Sequence, residues 1–161
     1  MAKYEITHRC GHISIETLFG KRKEREWLIS KLKMELCKKC QEEEYAKQNQ
    51  EAAKQNKENG LPPLKGTEKQ VAWAESIRLK KIIELNKLKQ DLLEDKALRQ
   101  DKTETVLRNY DKAESIINTA INETDAVFWI EGRNRTFDQG WLRDKWFEKK
   151  KEFLYETASK A

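Results

Sequence analysis

Three cysteines stand in this chain, and their placement limits what its first quarter can become. Cys10 sits two residues before His12 in "HRCGH", with His8 close by, and Cys37 and Cys40 form a C-x-x-C pair downstream. Three thiols and an imidazole are the donor set of a closed Cys3His zinc site. An odd cysteine count in a chain expected to be cytosolic favours metal ligation over a disulfide framework. That expectation rests on an N-terminus, "MAKYEITHRC", without the apolar core of a secretory signal, and on the lack of any apolar run near the ~20 residues that cross a bilayer.

The residues around these ligands read as a small fold of their own. Tyr4 and Ile6 alternate as in one short strand, and Ile13, Ile15 and then Thr17 or Phe19 as in a second. Gly11 between the first two ligands lets the backbone turn so that Cys10 and His12 reach one centre. After Gly20, "KRKEREWLISKLKMEL" carries Trp27, Leu28, Leu32 and Leu36 at helical intervals and delivers Cys37 at its end. The expectation is a zinc-ribbon or treble-clef-like module over residues 1–40 with Zn2+ held by Cys10, His12, Cys37 and Cys40. His8 is the alternative fourth ligand; the tight turn shared with Cys10 favours His12. A unit of this size seldom folds on an apolar core alone, and a structural zinc supplies on the order of 10–16 kcal/mol. Arg9, Lys38 and Lys39 are placed to offset the excess negative charge of three thiolates.

Beyond this module the chain is polar. Hydrophobic residues make up 37% and charged ones 38%, enough apolar matter to fold with little surplus. Residues 41–66 read as an exposed helix or spacer ending at Gly60, followed by the break "LPPLKG", where Leu61 and Pro62 precede prolines. Residues 67–161 read as a helical domain. Thr67 and Gln70 have capping-box spacing, and no proline or glycine interrupts the run to Gln100. Val71, Ala74, Ile77, Ile82, Leu85, Leu88, Leu92 and Leu93 lie on one stripe of that long helix, with Trp73, Leu79, Ile83 and Leu98 outside it. Those outliers suggest a homodimer through the long helix. A second helix is expected over 103–122, continuing through "DAVFWIEGRN" towards Gly132. A last segment places Phe137, Trp141, Leu142, Lys145, Trp146, Lys149 and Phe153 near one another. The aromatics are expected to fill the core and Lys149 to Lys151 to form a solvated face. The fold class expected is therefore mostly α, with a β-hairpin zinc module and a helical body built on one long helix.

No glycine-rich phosphate cradle, no nucleophile with an adjacent base and no carboxylate pair is evident, so a non-enzymatic protein is expected. The net charge of +5 comes from 33 basic and 28 acidic residues, interleaved along the chain, with 24 lysines to 9 arginines. Bidentate readers of bases and phosphates favour arginine, so nucleic acid is a secondary partner in this reading.

The segments "CGHISIETLFG", "LCKKC", "LPPLKGTEKQVAWAESIR" and "AVFWIEGRN" together resemble a group of small accessory proteins of Firmicutes phages and mobile elements. These join a CGH and C-x-x-C zinc module to an LPxLxGxEKQxAWAExIR segment and a WI-[DE]-x-R box. In that pattern the ligands correspond to Cys10, His12, Cys37 and Cys40, and the position of His8 varies; the segment beyond Arg135 has no counterpart. Some zinc-containing type II-A anti-CRISPR proteins are similar in size and layout. The resemblance implies a zinc-stabilised inhibitor that binds a host RNA-guided nuclease, with Glu42 to Glu44 and Asp91 to Asp95 meeting a basic groove. The alternative is a nucleic-acid-binding accessory protein or regulator in which Lys21, Arg22, Lys23 and Arg25 contact phosphates.

Overall fold

The computed structural model describes the backbone of residues 1–158 and the side chains of residues 1–149. Among these residues, β1 (Ala2–Thr7) and β2 (Ile13–Leu18) are followed by six α-helices: α1 (Arg22–Met34), α2 (Lys38–Glu58), α3 (Glu68–Leu98), α4 (Glu104–Ile121), α5 (Ala126–Glu131) and α6 (Gln139–Ala158). The expected Phe153, Lys150 and Lys151 contacts lie outside the described side chains. The chain divides into two compact units, Met1–Gln48 and Asn49–Ala161, with residues of α2 in both. No helix among the described residues is long and apolar enough to cross a membrane.

In the first unit β1 and β2 pair antiparallel, with Ala2 opposite Leu18, Tyr4 opposite Glu16 and Ile6 opposite Ser14. Cross-strand partners share a sheet face, so this register puts Tyr4, Ile6, Ser14, Glu16 and Leu18 on one side. That side is the inner one: Ile6 and Leu18 are buried, while Ile13 and Ile15 are 59% and 72% exposed. The hydrophobic alternation expected of β2 is present, and it points outward. The pairing register and the polar contacts of Ser14 decide the face, because a strand's period of two allows no compromise. Helix α1 joins the inner face, and Arg25 of α1 donates from Nε to the Tyr4 hydroxyl at 3.1 Å.

The second unit is organised along α3, 31 residues and about 46 Å long at the standard rise. Its N-terminus is capped as the spacing predicts: Gln70 N–H donates to Thr67 Oγ1 at 3.3 Å, and Thr67 N–H to Gln70 Oε1 at 3.0 Å. Just before it, α2 ends in a Schellman turn, with Gly60 N–H to Lys57 O and Leu61 N–H to Asn56 O; Gly60 takes φ +73° there. Ala74, Ile82, Leu85 and Leu88 of α3 pack with Ile116, Ile117 and Ala120 of α4 and with Ala126, Trp129, Phe137 and Trp141. Leu93, assigned to the stripe by period, is largely exposed, as are Trp73, Ile83 and Leu98. The second helix does not run on to Gly132. It stops at Asn122, and a new helix starts at Asp125, whose carboxylate accepts from Val127 N–H at 2.9 Å. The break sets Trp129 into the core, its ring edge-on to Phe128 at 5.2 Å and tilted to Phe137 at 6.4 Å.

The spacing of α2 and α3 conceals a buried polar connection. Asn56 of α2, on a helix read as exposed all round, is fully enclosed and donates from Nδ2 to Glu75 O at 2.9 Å and to Glu75 Oε2 at 2.6 Å. Arg78, 1% exposed, donates to Pro62 O at 2.7 Å and lies 5.6 Å over the Trp129 ring. Burial lowers the pKa of its guanidinium, and the charges of Glu75 and Glu123 oppose that loss.

The register of β2 yields a direct test. Ile15→Thr should change stability by no more than about 0.5 kcal/mol, while Leu18→Ala should cost about 2–5 kcal/mol, as buried leucines do. Denaturant unfolding of the metal-loaded protein, followed by hydrogen exchange in residues 1–48, measures both; a larger loss at Ile15 would reverse the assignment of faces.

Candidate metal centre

The four sequence-predicted donors converge. Their ligand atoms, three Sγ and one imidazole nitrogen, all lie within 4.8 Å of one another. Cys10 and His12 come from the turn between β1 and β2, closed by His8 N–H to His12 O at 2.9 Å and Gly11 N–H to His8 O at 2.9 Å. Gly11 has φ +81°, a region open to glycine without steric cost, and this conformation brings both neighbours to one side. Cys37 and Cys40 come from the start of α2 rather than the end of α1. Helix α1 stops at Met34, because Glu35 is extended and its carbonyl accepts from Arg9 N–H at 3.1 Å, tying the ligand turn to the segment that leads into Cys37.

This placement suits thiolates. Cys37 directly precedes α2, and Cys40 lies in its first turn, where the positive end of the helix dipole and unpaired N–H groups favour anions. Cys37 N–H points to Cys10 Sγ at 3.4 Å and Cys40 N–H to Cys37 Sγ at 3.5 Å. His12 faces the sulfurs through Nδ1, 3.6 Å from Cys37 Sγ and 3.2 Å from Cys40 Sγ. A tetrahedral ion with bonds of ~2.3 Å to sulfur and ~2.0 Å to nitrogen spaces its ligand atoms about 3.5–3.8 Å apart. The cluster therefore fits a tetrahedral borderline cation such as zinc in both donor type and spacing. Cys37 is buried, Cys10 and Cys40 half-buried, and His12 exposed.

The thiols differ in acidity. The Cys37 N–H, followed by the His12 N–H, lowers Cys10 to about 6. Cys40 is raised to about 11, first by its hydrogen bond with Cys37 and then by burial.

His8 stands apart from the cluster. It is 7% exposed, with Nδ1 3.0 Å from Leu32 O of α1 and Nε2 2.8 Å from Ser14 Oγ of β2, which itself donates to Glu16 Oε1 at 3.0 Å. Both ring nitrogens are occupied, so His8 fastens the hairpin to α1. The tight Gly11 turn shared with Cys10 separates the two histidines in the sequence, and Ser14 is the partner that engages His8 in the fold.

Two outcomes follow from this geometry. His12→Ala should reduce bound zinc well below one equivalent, whereas His8→Ala should retain the metal yet lower the thermal midpoint, as read by elemental analysis and calorimetry. Between about pH 6 and 11 Cys10 is a thiolate and Cys40 a thiol, so an entering divalent cation must displace at least the Cys40 proton. Affinity should therefore rise with pH across this window and fall more steeply below about pH 6, where Cys10 must also be deprotonated. Zinc titrations at pH 7.5 in buffers of different ionisation enthalpy should show one or more protons released; none released would contradict the assignment.

No protein-family model matches this chain, and no curated protein and no solved structure matches it.

Proposed function

We propose that the protein is a non-enzymatic interaction protein, stapled by structural Zn2+ and of mobile-element type, that binds and inhibits a host type II RNA-guided nuclease. The observation that carries the non-enzymatic part is the closed donor set. Cys10, His12, Cys37 and Cys40 would together supply the four donors of a closed zinc site, whereas hydrolytic zinc keeps a position for water. When bound, the ion supplies cross-linking of β-hairpin to helix rather than Lewis acidity. The module is treble-clef-like in this reading, with one ligand pair on a hairpin turn and the other at a helix N-terminus. Among the described residues, Arg9, Lys38 and Lys39 are exposed beside the ligands, where they offset the charge of three thiolates.

The identity of the partner comes from the sequence resemblance, which points to accessory proteins that act by occupying an effector. Glu42, Glu43 and Glu44, exposed on one turn of α2, offer an acidic surface to a basic nucleic-acid channel. Such inhibition needs no catalytic group in this chain.

Adding the metal-loaded protein to a purified type II nuclease and its guide RNA should yield a complex on size-exclusion chromatography and suppress cleavage of target DNA. Removing zinc with a chelator should abolish both effects while residues 49–149 keep their hydrogen-exchange protection. Unimpaired cleavage with no complex would dismiss the nuclease as partner, and inhibition by chelated protein would dismiss the structural role of the metal.

A further inference from the structure

Residues 1–40 hold ten of the 33 basic residues and five of the 28 acidic ones, so residues 41–161 carry 23 of each. The formal surplus of +5 thus belongs entirely to the segment with the metal ligands. On α1 the acidic side chains are engaged locally. Glu24 accepts from Lys21 N–H at 2.8 Å, Glu26 pairs with Arg22 at 2.8 Å, and Glu35 lies 3.8 Å from Lys31 in a solvent-exposed contact. Arg25 is occupied by the Tyr4 hydroxyl and the Gly20 carbonyl. Lys23 makes no ion pair among the described residues.

Helix α1 turns Leu28, Ile29 and Leu32 towards its own unit, and the opposite side carries Lys23, Trp27, Lys31 and Met34 at i, i+4, i+8 and i+11. Trp27 is 64% exposed and Met34 75%, although the unit has few large apolar side chains to fill its interior. The Lys31 ammonium stands 5.7 Å from the centre of the indole. Lys23 and Lys31 are about 12 Å apart along the helix axis, with the tryptophan midway.

We infer that this outer face of α1 binds single-stranded nucleic acid, with Trp27 stacking on a base and Lys23 and Lys31 contacting the flanking phosphates. Magnitudes separate this from protein docking. One tryptophan and one methionine fall short of the roughly 800 Å² that each partner buries in a stable protein interface, while one base stacked on an aromatic ring already contributes measurably and phosphate contacts add to it. Lysines contact phosphates as point charges without reading sequence, so the recognition is sequence-tolerant. The inference goes beyond the proposed function and stands apart from it, since it requires no nuclease.

The test uses the full, zinc-loaded chain with fluorescently labelled 20-nucleotide oligothymidine and oligouridine at low ionic strength. Anisotropy should show saturable binding that weakens with salt at a log–log slope of roughly −1.5 to −2, as two to three phosphate contacts to a single strand give. Trp27→Ala should weaken binding about fivefold or more, and Lys23→Glu with Lys31→Glu should nearly abolish it. Zinc content and circular dichroism should be unchanged, because these side chains lie on the outside. Trp73→Ala, at an exposed tryptophan of the second unit, should bind as the parent does. The inference is overturned by binding that is absent or flat with salt, by equal losses from the Trp27 and Trp73 variants, by duplex DNA bound as tightly as the single strand, or by polyglutamate competing as well as the oligonucleotide. This last outcome would indicate a receptor for acidic protein.

Discussion

The first 48 residues bury little apolar matter: Ile6, Leu18 and Cys37 are the buried hydrophobic side chains of that unit, with Leu28, Ile29, Leu32 and Leu36 partly covered. A core this small seldom holds a unit of this size folded by itself. Three sulfurs and one nitrogen converge there, and an ion held by them would supply cross-links that the core lacks. The remaining features of the unit serve that centre. Gly11 shapes the ligand turn, the Arg9 to Glu35 backbone bond ties it to the end of α1, and His8 joins both layers through Leu32 and Ser14.

The second unit solves its problem differently, through one buried cation. Arg78 touches the proline segment through the Pro62 carbonyl, α5 through the Trp129 ring, and the field of Glu75 and Glu123. Glu75 in turn holds Asn56. The guanidinium makes one hydrogen bond, from Nη1 to Pro62 O, and its buried Nε and Nη2 have no hydrogen-bond partner, so the Trp129 ring and the field of the two carboxylates carry the rest of its compensation. The stretch "LPPLKGTEKQVAWAESIR" and the box "WIEGRN" supply most of these groups. Their residue types therefore have a structural reason: Thr67 and Gln70 cap the helix, and Arg78 and Trp129 meet in the interior. Among the exposed members of those motifs, the Arg133 guanidinium lies 5.8 Å over the Trp73 indole.

What the sequence disclosed, and what it withheld, follows from how local each signal is. The capping box at Thr67, the helix end at Gly60 and the convergence of Cys10, His12, Cys37 and Cys40 depend on residues a few positions apart or on donor chemistry that has few solutions. The face of β2 depends on a partner strand, and alternation alone does not reveal that the register turns Ile13 and Ile15 out. The break at Asn122 was hidden because an apolar run continues across it, while Asp125, a good helix-starting residue, was the available sign. Asn56, Glu75 and Arg78 escaped for a related reason. They sit on or beside the apolar stripe of their helices, but a polar residue in that position reads as an interruption until its partners are known.

Separating the charges from the core has a consequence for how the two halves respond to change. The second unit owes its order to apolar packing and a screened internal cation, both insensitive to salt at the protein surface. The first would depend on four ligands whose protonation competes with an ion, and it carries 11 basic and 8 acidic residues, the larger share of the positive surplus. Acid, chelation and oxidation of exposed sulfur all act on the same four ligands, so they reach the first unit before they reach the second. Where an ion holds that unit together, a surface on α1 would depend on the state of Cys10, His12, Cys37 and Cys40.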